Sequence, residues 1–107
     1  MLTVMRIERW DPRREGAVTE AGLRRKVENY GYQISTTALE GGTVLAPHLQ
    51  GREGVDAVIS GIVKITLDGE SAILTAGDLV YVPRGSVRRV EVVGSAAARC
   101  IEAVYAR

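Results

Sequence analysis

Short apolar runs separated by glycine and other turn-forming residues fill the chain from Leu23 onward. Within several runs apolar and polar residues alternate, as at Val63, Ile65 and Leu67. A period of two is typical of a strand that buries one face. Many short strands between such turns predict an all-β sandwich or barrel. The predicted strands are residues 22–30, 32–39, 43–47, 55–60, 62–67, 71–75, 79–83, 86–93 and 97–105.

Asp68 and Gly69 separate two of these strands. An Asp-Gly pair supplies the positive φ angles of a tight hairpin turn, so the pair predicts a hairpin. Before the barrel, residues 1–10 are predicted to form an extra strand and residues 11–21 a charged loop. The domain organisation is therefore an N-terminal strand and loop, 1–21, followed by a barrel domain, 22–107.

Residues 19–29 allow a second interpretation. Thr19 is a good N-cap residue, so a short helix could begin there. Gly22 and the alternation of Arg25, Val27 and Asn29 favour a strand instead. We keep the strand as the expectation and the helix as its alternative.

Composition narrows the class of protein. The chain has 107 residues, of which 46% are apolar and 25% charged, as in an ordinary globular domain. Fourteen basic and 13 acidic residues give a net charge of +1. The arginines are scattered in pairs, so no basic face is expected to bind nucleic acid.

Other features argue against a membrane or secreted protein. No apolar run approaches the ~18 residues of a membrane span. The apolar stretch at the N-terminus is too short for a signal peptide, and charged residues follow it closely. A single cysteine, Cys100, excludes an internal disulfide framework. We expect a cytoplasmic protein in which Cys100 is a small core residue and not a nucleophile.

Two glycine-containing motifs occur in order. In the first, Gly42 is followed after five residues by His48, and Gly61 closes the segment. The second consists of Gly77, then Pro83 and Gly85, with Arg88 three residues later. Spacing and order resemble the two motifs of the cupin superfamily over residues 33–106. The resemblance implies a small double-stranded β-helix, or jelly-roll barrel, usually a homodimer, with a ligand pocket in its mouth.

In that family the first motif supplies two His and a Glu, and the second a His, to a divalent metal. The corresponding positions here are His48, Gln50, Gly54 and Arg88. A glutamine oxygen is a weak ligand for a transition metal, glycine has no side chain, and a guanidinium is a fixed cation without an acceptor. With one histidine, the 2-His-1-carboxylate set cannot form within one chain. We therefore expect no metal cofactor.

A metal site built from other residues is the less favoured alternative. It would use His48, Gln50 and Glu53, and Glu53 would need a bulge within residues 51–54 to point inward. Asp56, two residues beyond the family's Glu position, shares that position's face. A metal-dependent cupin enzyme would have to rely on one of these acids.

Strand alternation predicts that Asp56 and Arg88 both point into the barrel. A buried arginine needs a partner. That partner is Asp56 or Glu102 in one interpretation; in the other, the guanidinium clamps a carboxylate or phosphate of a ligand. Both interpretations can hold at different times, with the internal ion pair in the free protein and the clamp in the complex. The candidate catalytic residues are His48, Arg88 and Glu102, and the candidate ligand-binding residues are Gln50, Asp56, Tyr81 and Arg88. Tyr81 either flanks the pocket or packs outside it.

Three functions follow as expectations. The first is binding of a small polar, anionic metabolite, with metal-independent isomerase, cyclase or lyase chemistry in which His48 moves protons and Arg88 holds the substrate. The second is a non-catalytic binding or sensor barrel, and the third is the metal-dependent enzyme. In each the partner is a small molecule, and a homodimer is expected in which residues 4–7 cover a strand edge of the neighbour.

Overall fold

The computed structural model describes residues 5–106. Its elements, in chain order, are β1 (Ile7–Glu8), α1 (Pro12–Glu15), α2 (Glu20–Asn29), β2 (Tyr32–Leu39), β3 (His48–Leu49), β4 (Gly54–Ser60), β5 (Val63–Leu67), β6 (Glu70–Leu74), β7 (Leu79–Val82), β8 (Val87–Val92) and β9 (Ala98–Tyr105).

The strands form two antiparallel sheets that face each other. One has five strands in the order β1-β7-β4-β9-β2, and the other has four in the order β3-β8-β5-β6. The predicted all-β jelly-roll fold is confirmed. The predicted hairpin is confirmed as well, since β5 pairs with β6 across Asp68 (φ 49°) and Gly69 (φ 86°).

The main core lies between the two sheets. It is built from alternate residues of both, among them Val58, Ile65, Leu67, Val80 and Cys100. A second apolar cluster covers the outer face of the five-stranded sheet, where α2 packs. Because the outer face is covered, the outward-facing residues Val55, Ala57, Ile101 and Ala103 are also buried.

The predicted strand over 22–30 is wrong, and the alternative helix is what the structure contains. The side chain of Thr19 accepts a hydrogen bond from the Gly22 amide, as an N-cap residue does. Leu23 and Val27, four residues apart, are completely buried against the sheet. The helix also runs across the predicted boundary between residues 21 and 22.

Three further expectations differ from the structure. Residues 43–47 form no strand; Val44 makes only an isolated bridge to Glu91, and the strand β3 begins after Pro47, which has no amide hydrogen for a ladder. Residues 11–21 include the short helix α1, capped by Asp11. Of the predicted strand 1–10, the structure contains Ile7–Glu8, and residues 1–4 lie outside the described part.

Within residues 5–106, no helix is both long enough and apolar enough to cross a membrane.

Candidate functional site

Two pairs of directly opposed residues face each other across the barrel. In the four-stranded sheet His48 of β3 lies opposite Arg88 of β8. In the five-stranded sheet Asp56 of β4 lies opposite Glu102 of β9. Opposed residues of an antiparallel pair project to the same side of the sheet. The pleat therefore brings the two acids and the cation to one region of the barrel, and the exposed His48 lies at the outer edge of that region.

Arg88 joins the two sheets through an ion-paired triad with Asp56 and Glu102. Its Nε donates to Asp56 Oδ2, and its Nη2 donates to Asp56 Oδ1 at 3.0 Å. Nη2 also donates to Glu102 Oε1 at 2.6 Å. Asp56 thus holds one edge of the guanidinium in bidentate fashion, while Glu102 takes only half of the terminal edge. Both partners proposed from the sequence are used at once.

The three members of the triad differ in exposure. The side chains of Arg88 and Asp56 are 12% and 14% exposed, whereas that of Glu102 is 47% exposed. Asp56 and Arg88 therefore form the fixed part of the triad. Glu102 can turn into solvent because about half of its side chain is already exposed. Its contact with Arg88 is therefore the replaceable one.

Nη1 is the remaining donor of Arg88. No residue within 5–106 accepts a hydrogen bond from it. In the same part of the chain, no buried side-chain nitrogen or oxygen is without a partner. Within residues 5–106, the two N–H donors of Nη1 are therefore not used by another residue.

Burial governs the ionisation of the inner groups. Desolvation raises the pKa of Asp56 above its ordinary value, against the hydrogen bonds and charge of Arg88, which lower it. Desolvation, together with the charges of Asp56 and Glu102, raises the pKa of Cys100 to about 11. A thiol with that pKa is protonated at neutral pH and is a poor nucleophile, which supports the expected role of Cys100 as a core residue.

The triad lines two cavities. The inner cavity, of about 70 Å³, lies between the sheets and is otherwise mostly apolar. The outer depression, of about 340 Å³, is more open and more polar. Asp56, Arg88 and Glu102 border both. The other main lining residues of the inner cavity are Thr37, Leu39, Leu45, Val58, Val63, Ile65, Leu74, Val90 and Cys100.

His48 and Gln50 line the outer depression together with the triad. The backbone of Gln50 is fixed by its amide, which donates to the Ser86 carbonyl, and by its carbonyl, which accepts from the Gly85 amide. The structure therefore brings together five of the residues proposed from the sequence: His48, Gln50, Asp56, Arg88 and Glu102.

Two other proposed residues lie elsewhere. Tyr81 is on the opposite face of the five-stranded sheet, where its hydroxyl donates to Glu8 Oε2 at 3.1 Å, and it lines neither cavity. Of the two predicted positions, Tyr81 thus occupies the outer one and is not placed to bind a ligand in the barrel. Glu53 borders a separate surface groove with Arg84 and Tyr105. No bulge turns Glu53 inward, so the alternative metal set of His48, Gln50 and Glu53 is not assembled.

The sequence interpretation missed the lining residues of β2 and of the segment before β3. Ser35, Thr37 and Leu39 share one face of a correctly predicted strand. The alternation of side chains along this strand could be predicted from the sequence. Which of its two faces turns toward the cavity could not. Leu45 lies in the segment wrongly predicted as a strand, and it is both 37% exposed and part of the inner cavity wall.

Two antiparallel sheets that face each other around a polar triad have the architecture of a small jelly-roll barrel domain. The model of the family described as "Cupin domain" matches residues 35–104, which include the whole triad. The chain belongs to the cupin family.

Solved structures agree on the fold. AerE from Microcystis aeruginosa is 17% identical, with a TM-score of 0.66 over 71% of this chain and 36% of that one. A cupin protein from Bacteroides fragilis is 25% identical, with a TM-score of 0.62 over 71% of this chain and 67% of that one. A cupin superfamily protein from Desulfitobacterium hafniense is 17% identical, with a TM-score of 0.64 over 71% and 68%. The chain thus spans about a third of AerE. Among curated proteins, none matches this chain in sequence.

The residues at the family's metal position do not fit a metal. Arg88 places a guanidinium there and engages Asp56, the nearest buried carboxylate. A Cβ added to Gly54 would lie 2.6 Å from the Ala103 carbonyl oxygen and 2.7 Å from Gln50 Nε2, so a glutamate has no room at that position. Within the described residues, no three His, Cys, Asp or Glu side chains are grouped to hold an ion.

Proposed function

We propose that this protein binds a small anionic metabolite at Arg88. The observation that carries the proposal is the terminal edge of the guanidinium, where Nη1 is available and Glu102 holds only Nη2. A carboxylate that displaced Glu102 would gain a bidentate contact with Arg88. Glu102, whose side chain is 47% exposed, would turn toward solvent, where water screens its charge from the bound anion.

The position of the site supports a ligand rather than a purely structural ion pair. A buried ion pair alone contributes little to stability, since desolvation offsets much of the attraction. Here the pair stands at the wall between a cavity and an open depression, where a ligand can reach it. Asp56 serves to hold the guanidinium in place, and Glu102 covers its terminal edge while no ligand is bound.

Proton-transfer chemistry is the second candidate, and the position of His48 favours it. His48 lies directly opposite Arg88 and borders the same depression, so it is placed beside an anion held by Arg88. An imidazole is the side chain best suited to proton exchange near neutral pH. An isomerase, cyclase or lyase would use Arg88 to stabilise an enolate and His48 or Glu102 to move the proton. A non-catalytic binding or sensor protein would use the same contacts without turnover.

The test measures anion binding by isothermal titration calorimetry, with sodium acetate as the probe at constant ionic strength. Wild type is compared with the double variant Arg88→Gln/Asp56→Asn, which removes both charges of the buried pair without leaving one unpaired. We expect binding by wild type and none by the double variant, with both proteins folded by circular dichroism. Equal binding by the two proteins would contradict the proposal.

A His48→Ala variant separates the two candidates. Both candidates predict that acetate affinity is kept, so the separation comes from turnover. If a turned-over substrate is found, the catalytic candidate predicts that its turnover is lost in His48→Ala while its binding is retained. The homodimer and the cytoplasmic location stay predictions, and light scattering at micromolar concentration tests the first.

A further inference from the structure

The inner cavity has a polar end and an apolar body. Its polar end is the triad, and its body is lined by aliphatic side chains of both sheets, including Val58, Val63, Ile65 and Val90. An apolar cavity is not a good place for water, since it offers few hydrogen-bond partners. An alkyl group attached to an anion would match both the apolar body and the polar end of this cavity.

The size of the cavity limits that alkyl group. A volume of about 70 Å³ is about half of the ~150 Å³ that accommodates a benzene ring. It is several times the ~10–15 Å³ of probe-occupied volume that one water molecule needs. A chain of about two to four carbons fits, and a ring does not.

The cavity also has an approach from solvent. Leu45 belongs to its wall and is partly exposed, and it lies in the irregular segment between β2 and β3. That segment is attached to β8 through the Leu45 amide, which donates to the Val90 carbonyl at 2.9 Å. At Leu45 the wall of the cavity therefore reaches solvent outside both sheets.

We infer that the ligand is a short-chain aliphatic monocarboxylate, whose carboxylate takes the place of Glu102 on Arg88 and whose alkyl chain fills the inner cavity. This inference rests on the proposed function and adds the class of ligand. The carboxylate uses the volume that Glu102 leaves, so the whole cavity stays available to the chain. Arg88 supplies the charge recognition, and the aliphatic wall selects the length.

The test is a chain-length series measured by calorimetry at pH 7: acetate, propionate, butyrate, valerate, hexanoate and benzoate, with butyramide as the uncharged control. We expect affinity to rise about fourfold with each added methylene up to butyrate, because each is removed from water. Hexanoate and benzoate should bind more weakly than butyrate, and butyramide not at all.

A matched pair of variants then locates the chain in the cavity. Val90→Ala enlarges the cavity, while Val92→Ala removes the same atoms from a buried residue of the same strand that does not line it. We expect the best chain to become longer by one or two carbons in Val90→Ala and to stay the same in Val92→Ala. Val63→Leu fills part of the cavity, so the best-binding chain should become shorter in this variant. It provides the test if Val90→Ala does not fold.

The outcomes separate the two proposals. Acetate binding that depends on Arg88, with no gain along the series, overturns the chain-length inference and leaves the proposed function standing. The same holds if Val90→Ala and Val92→Ala shift the series equally. If wild type binds no carboxylate at all, the proposed function fails and the inference fails with it.

Discussion

Two charged clusters lie on opposite faces of the five-stranded sheet, and they are built differently. The inner one is the triad of Asp56, Arg88 and Glu102. The outer cluster consists of Glu8, Tyr30, Tyr81 and Lys26, which lie between β1, α2 and β7. Glu8 Oε1 accepts from the Tyr30 hydroxyl at 2.7 Å and lies 3.3 Å from Lys26 Nζ, and Oε2 accepts from Tyr81.

The outer cluster attaches the N-terminal segment to the helix and the sheet. Glu8 accepts from two hydroxyls and shares the Lys26 ammonium with Glu15, whose Oε1 lies 2.8 Å from Nζ. None of the four residues lines the inner cavity or the outer depression. In the triad, Arg88 pairs with two carboxylates, and neither of them uses its Nη1. The triad also borders a cavity. The comparison teaches that a polar cluster beside a cavity indicates a binding site, whereas one without adjoining space indicates structure.

The largest effect should come from removing the buried cation. Arg88→Met leaves the carboxylate of Asp56 buried without its partner, and we expect a loss of about 3–5 kcal/mol in the free energy of unfolding. Urea denaturation measures this loss. The added substitution Asp56→Leu should restore most of the stability, because no charge is then left buried. An equally unstable double variant would contradict the burial argument.

In the outer cluster the corresponding change should cost less. Glu8→Gln keeps the shape but removes the charge that Tyr30, Tyr81 and Lys26 share, and we expect a loss of about 1–2 kcal/mol in the same denaturation experiment. Glu28→Gln, on the exposed side of α2, is the control and should change little. Acetate binding should be the same in Glu8→Gln as in wild type, since the cluster is structural.

The contribution of Glu8 should also depend on pH, with a smaller effect. Burial raises the pKa of Glu8, but the hydrogen bonds from Tyr30 and Tyr81 and the charge of Lys26 outweigh it, so the pKa is lowered from its ordinary value of 4.5. The stabilisation is therefore complete above the unfolded value and is lost as the pH falls through the folded one. The difference in unfolding free energy between wild type and Glu8→Gln should shrink below pH 4.5. A difference that grows on acidification would mean that the sign is wrong.

The sequence predicted most of the barrel because alternation and turn chemistry act locally. The hairpin at Asp68-Gly69 and the strands after residue 54 needed no long-range information. The region before β2 was wrong, because α2 is stabilised by Leu23 and Val27 packing on a sheet formed by distant residues. Thr19 and the four-residue spacing were the available signals for that helix.

For the candidate site, too, the sequence predicted what depends on local strand alternation and missed what depends on packing between distant residues. Strand alternation predicted that the side chains of Asp56 and Arg88 point into the barrel. It therefore also predicted that the two could form an ion pair. That Asp56 and Glu102 bind different edges of one guanidinium depends on the separation of the two sheets. Tyr81 could not be assigned to a face, because β7 buries residues on both sides and its pattern is nearly continuous.

The most direct test of the account asks whether Glu102 is an internal competitor for Arg88. Acetate affinity is measured by calorimetry for wild type, Glu102→Gln and Glu91→Gln, a charge-matched change outside both cavities. We predict about fivefold tighter binding by Glu102→Gln, because a neutral amide holds Arg88 less strongly than a carboxylate does, and unchanged binding by Glu91→Gln. Weaker or unchanged binding by Glu102→Gln would contradict the account.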